Sequence, residues 1–107
     1  MKIGMILNTN DPETVWNAFR FGVTSLTNEH GVRVFLLGRG VEIEEIRSEK
    51  FDVAKQVQHF LDAGGEILAC GTCLKIRKKG EMKICPISTM QNLLEIVESS
   101  DKVITFS

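Results

Sequence analysis

No apolar run in these 107 residues approaches the roughly 20 needed to cross a bilayer as a helix, so nothing marks a membrane protein. Charge of one sign is also missing. Thirteen Lys and Arg stand against fourteen Asp and Glu, and a net charge of -1 supplies no overall field to hold a nucleic acid or an acidic membrane. Internal repeats, low-complexity stretches and long linkers are absent. With 43% hydrophobic and 25% charged residues, the chain has the balance of a globular protein, and its length suits one core better than two. A single domain over 1–107 is expected. Three cysteines, an odd number, argue against a disulfide framework and for reduced thiols. No export signal is legible behind Met1–Asn8, which places the protein in the cytoplasm by expectation.

What is present is an alternation of short aliphatic runs with helical patterns. Lys2–Asn8, Val32–Leu37, Glu66–Cys70 and Lys102–Phe106 read as buried strands, and Met82–Pro86 adds a short fifth. Near-continuous apolarity in such runs implies cover on both faces, as in parallel strands flanked by helices. The first helix opens at Asp11-Pro12-Glu13, where Asp11 caps, Pro12 fits the first turn and Glu13 suits the positive end. Val15, Ala18, Phe19, Gly22, Val23 and Leu26 then share one face, and Phe21 falls outside it. A second helix is predicted over about 51–63, stopped by Gly64-Gly65. A last one starts at Ser88, where Ser88-Thr89-Met90-Gln91 has capping-box spacing. The segment from Gly38 to Lys50 fits strand, helix or loop. The predicted class is therefore α/β, a three-layer, doubly wound, mostly parallel open sheet of about five strands in flavodoxin-like order.

In such a sheet, ligands gather beyond the carboxyl ends of the strands. That singles out Asn8 and Thr9 after the first strand, and Cys70-Gly71-Thr72-Cys73 after the third. With the order 2-1-3 the two loops would be neighbours. Cys70 precedes a helix predicted over about 72–78, so free backbone N–H groups and the positive helix end favour a thiolate there. Gly71 leaves room beside the sulfur, and Lys75, Arg77, Lys78 and Lys79 add positive charge. A half-buried packing cysteine is the competing reading. The Cys70–Cys73 spacing also admits a dithiol redox pair with Cys73 resolving, whereas a packing role suits Cys73 equally. No metal is expected: Cys70, Cys73 and Cys85 with His59 form no recognisable zinc spacing. Cys85 reads as packed, and His30 as facing water. The acidic residues Glu42, Glu44, Glu45 and Glu49 and the basic run 75–83 are complementary, which suits a contact between subunits.

The start Lys2-Ile3-Gly4-Met5-Ile6-Leu7-Asn8, the Asp11-Pro12 helix entry, Cys70 ending the third strand, and the tail from Ser88-Thr89-Met90 to Asp101-Lys102-Val103-Ile104-Thr105-Phe106 together resemble the DsrE/DsrF-like family. The likeness spans nearly the whole chain. That family includes the sulfur carriers of the TusD and DsrE type and the YchN-like proteins. The resemblance implies a cytoplasmic homo-oligomer, trimer or hexamer, without a cofactor. It also implies that Cys70 accepts sulfane sulfur as a persulfide and passes it from a donor protein to an acceptor. The remaining alternatives are the dithiol switch and an oligomeric module that binds a ligand near Asn8, Thr9, Gly71 and Thr72 without chemistry.

Overall fold

A computed structural model describes all residues, 1–107. Five strands form one sheet: β1 (Lys2–Leu7), β2 (Gly31–Leu36), β3 (Glu66–Cys70), β4 (Ile87–Ser88) and β5 (Lys102–Phe106). Every pairing is parallel, in the order β4-β3-β2-β1-β5. The class is as the sequence predicts, but the flavodoxin-like order is corrected. Each of the first three crossovers leads to the adjacent position, and only the last returns to the far side of β1. Local pattern specifies strands and helices, not their lateral neighbours. Here β2, with Val32, Val34, Phe35 and Leu36 all buried, takes the centre of the sheet.

Helices α1 (Pro12–Thr27), α2 (Val53–Asp62), α3 (Gly71–Ile76) and α4 (Met90–Ser99) connect the strands. Alternation along β1 separates the two layers. Met5 faces Gly22 of α1, and Phe60 of α2 packs against that same glycine and edge-on to Phe19. Gly4 faces the other way, toward Ile96 and Ser100 at the end of α4. The Asp11 cap forms as predicted, its carboxylate accepting Thr14 N–H at 2.9 Å. Those bonds hold the Asp11 carboxyl below its ordinary range. The last cap lies one residue later than predicted. Thr89, not Ser88, accepts from Asn92 N–H, and the Asn92 side chain returns the bond, because Ser88 is taken into β4. The short fifth strand likewise falls at Ile87–Ser88 rather than over 82–86.

The open segment after β2 is a 3-10 helix, Gly38–Glu45, seated on the carboxyl end of β1. Gly40 is buried there, and a Cβ on it would overlap the Leu7 carbonyl oxygen. Since backbone meets backbone, no rotamer change relieves that clash. Gly40→Ala is expected to lower stability by about 2 kcal/mol, which denaturant unfolding will measure. A loss below a few tenths of that would show that the segment moves freely.

Candidate functional site

The carboxyl ends of β1, β2 and β3 meet the 3-10 segment, and three loops converge there. Asn8 leaves β1 and lies against Gly38, where a side chain would run into its Oδ1. Gly38 sits at a positive φ of 54°, the left-handed region that glycine adopts without penalty. That turn aims its N–H at the Cys73 sulfur, 3.3 Å away. The expectation that the loops after β1 and β3 are direct neighbours is thereby corrected. Because β2 lies between β1 and β3, the link from Asn8 to the cysteines runs through Gly38. Thr9 serves its own turn, its hydroxyl accepting Asp11 N–H at 3.1 Å.

Cys70 ends β3 and caps α3, its sulfur accepting Cys73 N–H at 3.4 Å. The thiol of Cys73 lies beside it. Cys73 is half-buried, Gly71 is half-buried against Ile87, and Thr72 is exposed. Cys70 itself is only 2% exposed. This corrects the picture of a thiolate poised in the open. Burial pushes the Cys70 thiol above its ordinary range, and the neighbouring Cys73 thiol adds to that. The N–H groups of Cys73 and Thr72 pull the other way, as a helix start should, but they do not offset the desolvation. The resting form is a neutral, enclosed thiol.

Cys85, read from sequence as packed, is half-buried with its sulfur 3.7 Å from Met82 Sδ. Burial and the charge of Glu44 push its thiol up to about 12. His59 is exposed on α2, and no three His, Cys, Asp or Glu side chains converge as a metal site. His30 does not simply face water, since its Nδ1 lies 2.8 Å from the amino terminus. Two pairs from the opposite charge runs form within the chain. Arg77 lies 3.8 Å from Glu42, and Lys79 pairs with Glu45. The residue sequence reasoning missed is Gly38. Its signal was the Gly38-Arg39-Gly40 pair of glycines placed directly after a strand.

A raised folded-state thiol pKa has a definite sign for stability. Below about 9 both folded and unfolded chains keep the Cys85 proton, and between 9 and about 12 only the unfolded chain loses it. Stability should therefore fall as pH climbs through that window, with Cys70 acting in the same direction. Melting temperatures across it are expected to drop less steeply in Cys85→Ala. Equal slopes would remove Cys85 from the account. Alkylation of the folded protein at pH 8 should also label Cys73 well before Cys85.

The DsrE/DsrF-like family model matches residues 1–106. The chain is 31% identical over 100 residues to the uncharacterized protein MJ0989 of Methanocaldococcus jannaschii, with 88% of each covered. It is 30% identical to the uncharacterized protein MK0008 of Methanopyrus kandleri, covering 88% of this chain and 83% of that one. Among solved structures, BT1422 from Bacteroides thetaiotaomicron superposes with a TM-score of 0.77 at 18% identity, covering 97% of this chain and 93% of the other. MTH1491 from Methanobacterium thermoautotrophicum gives 0.74 at 13%, covering 96% and 97%. Both are proteins of unknown function, and their likeness carries the fold. With its five parallel strands, its helices on both faces and a match along essentially its whole length, this chain belongs to the DsrE/DsrF-like family.

Proposed function

We propose that this protein handles sulfane sulfur at the Cys70–Cys73 pair, with Cys70 holding the sulfur as a persulfide and passing it to a partner protein. The observation that carries the reading is the arrangement of the two thiols. They lie side by side at the carboxyl end of β3, one accepting Cys73 N–H and the other Gly38 N–H. Family membership supports the same chemistry.

In loading, the Cys70 thiolate attacks the outer sulfur of a donor persulfide. A bond forms between Sγ and that sulfur, the donor S–S bond breaks, and its electron pair leaves on the donor thiolate, which takes up the proton. Delivery repeats the step, with an acceptor thiolate attacking the outer sulfur and Cys70 departing. The departing Cys70 anion is received by the N–H groups of Cys73 and Thr72, the two that favour its charged form. No net oxidation occurs. Cys73 provides a second exit. Its thiolate can attack Cys70 Sγ, forming a Cys70–Cys73 disulfide and expelling hydrosulfide. Neither route draws on a cofactor, and three free thiols suit a reducing compartment such as the cytoplasm.

Self-association as a trimer or hexamer belongs to this reading. Helix α4 leaves Met90, Leu94 and Val97 exposed at i, i+4 and i+7, and α1 leaves Phe21 exposed, so apolar surface awaits cover. No helix is long and apolar enough to cross a membrane. Sedimentation at micromolar concentration is expected to show species larger than a monomer, and monomer alone would remove the oligomer from the proposal.

Treatment with a small alkyl persulfide, followed by peptide mass spectrometry without reductant, should place one added sulfur on Cys70. Absence of that sulfur, or equal labelling after Cys70→Ser, overturns the sulfur-carrier reading.

A further inference from the structure

We infer that the strap from Arg77 to Pro86 is an ion-pair latch gating access to Cys70, an inference whose biological purpose rests on the sulfur-handling reading. After α3 the chain runs ten residues before re-entering the sheet as β4. From Gly80 to Cys85 no residue shares a backbone-to-backbone hydrogen bond with anything. Segments with so little backbone pairing open at low free-energy cost.

The strap is fastened instead by three carboxylates, all from the 3-10 segment. Glu42 faces Arg77 at 3.8 Å, Glu45 pairs with Lys79, and Glu44 accepts Lys83 N–H at 3.0 Å. Met82 adds an apolar anchor, buried in the same core cluster as Leu74 and Cys70, and Ile84 and Cys85 pack half-buried against that cluster. Both ion pairs keep partial exposure, with Arg77 and Glu42 side chains 26% and 29% accessible, so dissolved salt reaches them.

What the strap delivers is the edge strand beside Cys70, which the latch reading takes as the cover over its thiol. Its last residue, Pro86, accepts Ala69 N–H at 3.3 Å, and Ile87–Ser88 then pairs with Ala69-Cys70 as a two-residue edge strand. Ile87 lies against Gly71, so close that a Cβ there would be 2.8 Å from its Cγ2. A strand of two residues holds poorly by itself. Releasing the carboxylates from the strap therefore frees β4 and uncovers Cys70, whereas the Cys73 sulfur keeps its bond from Gly38 N–H. The latch reconciles an enclosed resting thiol with transfer to another protein.

The test is the alkylation rate of Cys70 by uncharged iodoacetamide in the full-length protein, read by peptide mass spectrometry with Cys73 as internal reference. In E44Q/E45Q, and in the unmodified protein at about 1 M salt, where screening acts over about 3 Å, Cys70 should react faster relative to Cys73. Weakening two exposed charge contacts by about a factor of two each gives a rise of about fourfold. Opening raises the plateau of the pH–rate profile, with any midpoint shift downward as water reaches the sulfur, whereas a change of local charge alone moves the midpoint and leaves the plateau unchanged. A Cys70 rate insensitive to both salt and the substitutions, or a moved midpoint with an unchanged plateau, overturns the latch. Should the double variant not fold, salt dependence in the unmodified protein decides. Persulfide loading is scored separately: sulfur on Cys70 with an insensitive rate defeats the latch alone, and a working latch without sulfur defeats the carrier alone.

Discussion

The close seat of Gly40 on the Leu7 carbonyl determines where everything else at the carboxyl end of the sheet falls. With no side chain between them, the 3-10 segment drops onto β1 and carries Gly38 over Asn8. That position points one backbone N–H at Cys73. The same descent presents Glu42, Glu44 and Glu45 toward the chain that follows α3. One glycine contact thus places both a donor for a sulfur and the carboxylates that hold the strap. Glycine is required twice for different reasons, close approach at Gly40 and a left-handed turn at Gly38.

Much of the fold was legible because its signals are local. β3 and β5 carry the residue ranges their aliphatic runs suggest, β1 ends one residue early, and β2 is displaced by one residue at both ends. The Asp11 cap and the apolar face of α1 follow from residue type and spacing. The lateral order of strands was not legible, since it depends on which crossover packs over which neighbour. The path of 38–45 was hidden for a related reason. Val41 and Ile43 are buried and Glu45 is exposed, a short alternating stretch that suits more than one backbone period. It adopts 3-10 geometry because Gly40 must reach the end of β1.

The site was half legible. Cys70 ending a strand before a helix start is visible in the residues, and the structure puts it there. Its burial was not, because β4, the strand that pairs beside it, has two residues, is attached by tertiary contacts and has almost no propensity signal of its own. Charge complementarity between the acidic and basic runs was visible too. The structure pairs part of it inside the chain, where a 3-10 segment and a strap lie side by side.

The conflict at Cys70 is between two effects of known sign. A helix start offers N–H groups to an anion, and a six-residue helix offers them over little more than a turn. Enclosure withdraws water from every side of the same sulfur, and desolvation of a charge outweighs a pair of long N–H contacts. The thiol therefore rests neutral, with the groups that would receive its charge already in place. Admitting water or a partner removes the larger opposing effect and leaves the smaller favourable one standing. Reactivity at such a sulfur is then set by how often its cover lifts rather than by any new group arriving. A group built this way is quiet when closed and prepared when open.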